Sequence, residues 1–427
     1  MLACSIVASD AGESPGNSHN RQSNPDASGA ASASVNDDVV ASLDQISALV
    51  SQQNPRLRAA KFLVQEAEGR LLNSGRWKNP NLVGNFNTDP DGFERQGGFG
   101  LNQAFPLAGR LRKEKAVSKS LLAAVQVEIA DVEQRLISEA ETLAVQVLSI
   151  EAQAALRLRQ LTLAEELSSF ISSLVKRGEG SALDAGQSKL DETQLELDVH
   201  HLDHEGKQLL GRLKILLGVK PESQLRLQGT LPHPKPAKEY VVDVSRRPDY
   251  QAAVSRSRAA NQAIRLARAS RWQDVTVGVF ANRMREEDLP VGLQTEDRIG
   301  VQLSLPLPLW QRNRGEIVEK TAAAARWEQT VLALENEIRN EVVAARTVMN
   351  TLAGHADEIR DELLPEAKQH VAAILDAYKN GLIDLQTVLR ARSQAVEIES
   401  KYLLAIEDFH LARVRYETAI GPKERAQ

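Results

Sequence analysis

Lys176-Arg177-Gly178-Glu179-Gly180-Ser181-Ala182-Leu183-Asp184 and Lys379-Asn380-Gly381-Leu382-Ile383-Asp384 are two glycine-centred turns, and they lie 203 positions apart when Lys176 is set against Lys379. The same offset pairs Gly178 with Gly381, Arg212 with Arg415 and Gly218 with Gly421. Upstream the offset shrinks, pairing Pro55 with Pro248, Arg76-Trp77 with Arg271-Trp272, and Gly100 with Gly300. An ordered series of this kind is the signature of a tandem duplication. We divide the chain into a tether at 1–38, a first repeat at 39–220, a linker at 221–242 rich in proline, a second repeat at 243–421 and a short tail at 422–427. The change of offset between Trp272 and Gly300 predicts an insertion of about five residues in a loop of the second copy.

Around the first turn the apolar residues fall three or four apart. Val125, Ile129, Val132, Leu136, Ala140, Leu143, Val147, Ile150, Ala154 and Leu161 make one stripe, the period of a helix. No proline interrupts the chain from Leu107 to Lys176. Some 65 residues at 1.5 Å each give a rod of roughly 95 Å, far longer than a globular helix. The second copy runs from Arg314 to Tyr378, with Pro365 inside it as a predicted kink. After each turn the chain doubles back, and Leu190, Leu195, Leu197, Leu202, Leu209, Leu213 and Leu216 supply the return stripe of the first copy.

Before each long helix the period changes to two. Leu82, Gly84 and Phe86 alternate with Val83, Asn85 and Asn87, and Ile299, Val301, Leu303 and Leu305 with Gly300, Gln302 and Ser304. Segments of eight to ten residues with weak alternation fit the strands of a transmembrane barrel, and equally a small half-buried soluble sheet. Aromatic residues are only 4% of the chain, and the apolar content is mostly Ala, Leu, Val and Ile, a mixture suited to long, closely packed helices. No run approaches the 18 to 20 apolar residues, roughly, of a membrane-spanning helix. The fold class predicted is therefore mainly α with a small β part, four strands per chain, in which three chains would close a 12-stranded barrel.

A net charge of −5 offers no basic footprint for nucleic acid. The sole cysteine, Cys4, excludes intrachain disulfides. Leu2-Ala3-Cys4-Ser5 reads either as an accidental cysteine or as the acylated start of a lipoprotein whose true start lies upstream. His200 and His204 stand one helical turn apart, yet no Cys or Glu completes a tetrahedral metal set beside them, so a solvated face is the expectation. No cofactor site, metal site or catalytic constellation is predicted.

Asn54-Pro55-Arg56-Leu57-Arg58-Ala59-Ala60, Leu364-Pro365-Glu366-Ala367 with Tyr378-Lys379-Asn380-Gly381, and Gly178 to Asp184 together resemble the TolC-like outer membrane efflux proteins, over essentially Val39 to Gly421. Asn79-Pro80-Asn81-Leu82 is reminiscent of the heavy-metal-cation branch of that family. The resemblance implies a homotrimer with an outer-membrane barrel and a periplasmic helical tunnel, passively conducting substrates handed on by a periplasmic adaptor and an inner-membrane pump. It also implies that the gate lies at the helix tips. Gly178, Asp184, Tyr378, Gly381 and Asp384 are the candidates, while Thr387 and Arg390 stand where the family archetype narrows its pore with acidic residues. The alternatives are a periplasmic adaptor or a soluble coiled-coil scaffold, neither of which calls for strand hairpins at equivalent places in two tandem repeats.

Overall fold

The computed structural model describes residues 38–90, 94–237, 241–288 and 292–422; Cys4 and the tether assigned to 1–38 lie, apart from Asp38, outside the described residues. The elements in order are β1 (Val39–Ser42), α1 (Ile46–Gln53), α2 (Pro55–Asn73), β2 (Asn81–Thr88), β3 (Arg95–Phe105), α3 (Arg110–Lys176) and α4 (Ala182–Leu217). There follow β4 (Leu225–Gln228), α5 (Pro248–Ala269), β5 (Val275–Asp288), β6 (Gly292–Ser304), α6 (Arg314–Glu358), α7 (Leu364–Lys379) and α8 (Leu385–Ile420). At 67 residues, α3 spans about 100 Å. It packs against α2, α4, α5 and α8, while α6 packs against α5 and α8.

The core is concentrated midway along the long helices. Ile129, Leu136, Ala140, Leu143 and Val147 of α3 meet Ile46, Val50 and Leu57 from the first two helices and Leu213 and Leu217 from the end of α4. A second cluster joins Ile338, Val342 and Met349 of α6 to Phe409, Ala412 and Tyr416 of α8. The segment assigned as a linker is part of this middle layer. Its strand β4 pairs in parallel with β1, Val39 opposite Leu225 and Ala41 opposite Leu227, and Leu225 and Leu227 are buried. A four-residue strand is too short for its alternation to stand out in sequence, which is why the pairing was not predicted.

The structure sharpens three expectations. Leu190 and Leu197 of the return stripe are exposed, whereas Leu209, Leu213 and Leu216 are buried. The insertion in the second copy lengthens the strands: β5 and β6 have 14 and 13 residues against 8 and 11 in β2 and β3. The expected kink at Pro365 takes the form of one π turn, Ile359–Leu363, in which the Leu364 N–H donates to the Ile359 carbonyl. Proline has no N–H and its ring crowds the carbonyl four residues back, and the wider turn accommodates both without ending the helix.

Gly218 closes α4 in a left-handed conformation, φ +67°, and an added Cβ would stand 2.4 Å from the Gln53 carbonyl oxygen. Gly211, inside α4, has nothing within 4 Å of an added Cβ. Gly218→Ala is therefore expected to lower thermal stability by more than about 1 kcal/mol, and Gly211→Ala to leave it equal or raise it by up to about 1 kcal/mol. Thermal unfolding followed by circular dichroism checks both.

Candidate functional site in the helix tips and the two-faced sheet

The two tips are built alike. At the first, the Gly178 N–H donates to the Val175 carbonyl and the Glu179 N–H to the Leu174 carbonyl, both at 2.9 Å. At the second, the Gly381 N–H donates to the Tyr378 carbonyl at 2.9 Å and the Leu382 N–H to the Ala377 carbonyl at 3.0 Å. This paired pattern terminates a helix only if the residue after it is left-handed, and Gly178 and Gly381 have φ +75° and +70°. The next helix begins at once, capped by Ser181 in the first copy and Asp384 in the second.

That register separates the two acidic candidates. Ser181 is the equivalent of Asp384, and Asp184 is the equivalent of Thr387. The Asp384 carboxylate accepts the Thr387 N–H at 3.0 Å and the Thr387 hydroxyl as well. The hydroxyl of Thr387, the amide beside it and, further off, Arg390 hold Asp384 below the usual carboxylate range. Asp384 and Thr387 are thus engaged with each other as a helix cap. Asp184 lies in the first turn of α4, where a negative charge suits the helix dipole. The Tyr378 ring is half-buried in the last turn of α7, and its hydroxyl has no partner among the described residues.

Arg390 is exposed and turned toward a cleft of about 810 Å³ between the two hairpins. Arg157, Asp191, Asp198, Arg392 and Glu399 also line it. Arg157 donates to the Gln160 side chain at 3.0 Å, while the Gln160 amide nitrogen is buried without a partner. Leucine and valine side chains, among them Leu163, Leu167, Val371 and Val396, also line the cleft, so the hairpins leave a cleft of mixed lining here, where the middle of the molecule is closed by apolar packing.

At the other end of the long helices the four strands form one antiparallel sheet in the order β2-β3-β5-β6. Directly opposed residues share a face, so the register assigns the faces. Leu82–Leu101–Val279–Val301 and Gln103–Val277–Leu303 are rows of one face, to which Phe99, Ala281 and Ile299 also belong. Asn81–Asn102–Gly278–Gln302 and Asn85–Gly98–Asn282–Arg298 are rows of the other. Toward the helix end one face is thus mainly apolar and exposed, with Ile299 at 89% and Leu82 at 74%, while Arg283 and Asp297 lie on it toward the far end. The other is rich in amides and glycines, with Val83, Phe280 and Arg298 among them. On it a large side chain lies over a glycine of the next strand. A Cβ on Gly98 would meet Asn282 Oδ1 at 1.8 Å, one on Gly278 would meet Asn102 Oδ1 at 2.1 Å, and one on Gly300 would meet the Phe280 ring at 2.4 Å. These pairings depend on register, which alternation within single strands does not reveal.

His200, His201 and His204 lie on an exposed face of α4, and His204 is 3.1 Å from the Gln208 amide. Among the described residues no group of three or more His, Cys, Asp or Glu is gathered to hold a metal ion, and no helix is long and apolar enough to cross a membrane. A histidine with defined partners is His233, in the extended segment after β4. Its Nε2 is 2.8 Å from Asp357 and its Nδ1 is 3.1 Å from the Tyr402 hydroxyl. The preceding residue, Pro232, accepts from His410 Nε2 at 2.8 Å; burial holds His410 below the usual histidine range. This strap fastens the segment between the repeats beside the π turn, and only its cluster of prolines marked it in sequence.

Residues 244–422, the second repeat, match the family model described as outer membrane efflux protein. Over that repeat the chain is similar to the outer membrane efflux protein family. It is similar to the cobalt-zinc-cadmium resistance protein CzcC of Cupriavidus metallidurans, 21% identical over 253 residues, which are 58% of this chain and 59% of that one. The matched region therefore spans about three-fifths of that relative. Among solved structures, a membrane protein from Pseudomonas aeruginosa superposes with a TM-score of 0.74 at 18% identity, covering 89% of this chain and 93% of that one. The Vibrio cholerae outer membrane protein VceC gives 0.73 at 18% identity, with 89% and 96% covered. The Campylobacter jejuni CmeC outer membrane channel gives 0.73 at 16%, with 89% and 85% covered. These likenesses establish the fold: long helical hairpins carrying a four-stranded sheet.

The cap at Asp384 yields a test. Its carboxyl is more acidic folded than unfolded, so it supports α8 above the unfolded value, near pH 3.9, and that support is lost as pH falls through the lower folded value. Asp384→Ala is expected to speed amide exchange at Leu385–Val388, whereas Asp384→Ser, which restores the cap of the first copy, leaves it slow. Hydrogen exchange with mass spectrometry reads the difference.

Proposed function

We propose that this chain is one protomer of a trimeric exit duct in the outer membrane. Three four-stranded sheets would close a 12-stranded barrel, apolar face to the lipid and amide-glycine face to the lumen, above a periplasmic tunnel of long helices. The observation that carries this reading is the two-faced sheet with both edges open, since strands β2 and β6 each have a partner on one side alone. Backbone groups at an open edge are not tolerated in lipid, and closure by symmetry satisfies all of them. The exposed apolar residues of the helices, such as Leu183, Leu190, Leu197 and Leu332, call for neighbours on the flanks in the same way.

On this reading the duct is passive and no catalytic step is assigned to it. A periplasmic adaptor would meet the tips and an inner-membrane pump would supply the energy. The gate would be the six tips of three protomers. Gly178 and Gly381 set their turns, while Tyr378, Asp184 and Arg390 are the side chains free to meet a neighbouring hairpin. Asp384 and Thr387 serve the gate through the cap that orients α8. For the cargo, the similarity to a cobalt-zinc-cadmium resistance protein and the Asn79-Pro80-Asn81-Leu82 start of β2 favour metal cations. A lumen of neutral amides such as Asn85, Asn102, Asn282 and Gln302 would pass a hydrated cation without holding it.

The two faces make the test. Val301→Arg or Leu303→Arg puts a charge in lipid, at a cost of about 2–4 kcal/mol near the bilayer midplane, and is expected to abolish heat-labile trimers in outer-membrane fractions. Gln302→Arg, between them in sequence but on the lumen face, is expected to keep trimers and reduce cation conductance in planar bilayers. A wild-type chain recovered as a soluble monomer without detergent would end the duct reading.

A further inference from the structure

Because the strands run alternately, the start of β2, the end of β3, the start of β5 and the end of β6 all lie at the helix end of the sheet. The sequence there is strongly basic although the chain as a whole has a net charge of −5. Arg76 and Lys78 precede β2, Arg271 precedes β5, Arg110, Arg112 and Lys113 open α3, and Arg312 and Arg314 open α6. Among them Asp274 takes Arg110 at 2.7 Å and Lys78 at 3.3 Å, Glu114 lines the same hollow as Asp274, and Glu316 lies in the first turn of α6. Arg76, Arg112, Arg271, Arg312 and Arg314 are exposed and have no carboxylate partner among the described residues.

This placement goes against the local physics of a helix. The first turn carries the positive end of the helix dipole, so a cation there costs stability and an acid gains it. Yet α3 opens with Arg110, Arg112 and Lys113 and has no acid in its first turn. Neither long helix has a side-chain cap at this end: the N-caps are Gly109 and Asn313, both left-handed, and neither accepts from the first turn. One N-terminal turn without an acid, a second in which Glu316 is engaged by the Asn313 amide, and five guanidinium groups with no carboxylate partner among the described residues make a surface short of negative charge, which an external anion would complete. The opposite end of the sheet differs. There Arg283 pairs with Asp297 at 2.6 Å and Arg298 with Glu296 at 2.7 Å.

Aromatic residues at the same level identify the class of anion. Trp77 meets Phe105 edge-on, with centroids 5.3 Å apart, and Phe105 lies on the apolar face in the row of Val275. Trp310 is 91% exposed just beyond the apolar-face residue Leu305. Trp272 carries the Arg271 guanidinium 5.8 Å above its ring. Indoles at the rim of an apolar face, with guanidinium groups beside them, match the boundary between hydrocarbon and headgroups. We propose that this rim binds the phosphate groups of anionic phospholipids in the periplasmic leaflet, anchoring the duct at a fixed depth. The proposal rests on the duct reading above.

The test uses full-length trimers in detergent micelles containing phosphatidylglycerol and phosphatidylethanolamine in equal amounts with matched chains, and counts retained lipids by native mass spectrometry. Near-surface arginines contribute about 1 kcal/mol each toward an anionic lipid, so the wild type is expected to retain phosphatidylglycerol at least about fivefold over phosphatidylethanolamine. Changing Arg76, Arg112, Arg271, Arg312 and Arg314 together to Gln is expected to bring the ratio near one, and changing the same five to Lys to preserve it. The Arg112→Gln, Arg312→Gln pair, at positions with no side-chain partner among the described residues, is expected to give a partial fall if the full set does not assemble. A wild-type ratio near one, an unchanged ratio in the Gln variants, or loss of preference in the Lys set each overturns the proposal. If trimers take up lipid without regard to charge, this proposal alone fails. If the chain forms no detergent-borne trimer, the duct reading fails with it.

Discussion

The outer strands of the sheet, β2 and β6, each hold one row of backbone N–H and C=O groups that no other strand among the described residues pairs. In water such an edge is a liability, and in hydrocarbon each unmet group costs several kcal/mol. The remainder of the architecture can be read as the consequence. A sheet of four strands with one apolar and one polar face has no stable isolated form, because burying the apolar face in lipid exposes the edges there too. Closing the ring satisfies both requirements at once, and closure needs copies of the same chain placed side by side. The helices obey the same symmetry, since they continue from the strands.

The helical region is organised for that arrangement. Its apolar packing is dense where Ile129 to Ile150 of α3 cross the first helices and the end of α4, and it thins toward the tips, where a cleft opens between the hairpins. No described residue of α7 is buried. A firm middle and a thinly packed end mean that the tips can shift at lower cost than the body. The π turn before Pro365 lies at the boundary, and the strap carrying Pro232 and His233 is fastened beside it. The fold thereby places the one π turn among the described residues next to the segment that joins the two repeats.

Much of this was legible in the residues. Period-two alternation located the four strands, three-and-four spacing located the long helices, and the matched glycines located the turns. What escaped was whatever depends on pairing between distant segments. The parallel union of β1 and β4 joins residues far apart in sequence, each strand too short to declare itself. The seating of Asn102 over Gly278 and Asn282 over Gly98 follows from register, which single-strand periodicity leaves undetermined. Leu190 and Leu197 were placed in the return stripe because spacing identifies an apolar face without saying whether this chain or another covers it. Asp384 was read as a gate charge, although its spacing from Thr387 in the first turn of α8 was already a capping signal.

The central claim is that β2 of one protomer completes the sheet beside β6 of the next, and covalent capture tests it most directly. With Cys4→Ala removing the only native cysteine, one new cysteine at Leu82→Cys on β2 would be combined in turn with Leu303→Cys, Val301→Cys or Ile299→Cys on β6, and the cells treated with a short bifunctional thiol reagent. The account predicts that at least one pairing yields dimers and trimers, ending at trimer, on denaturing gels. Monomer alone at every pairing, or a ladder running past trimer, would contradict it.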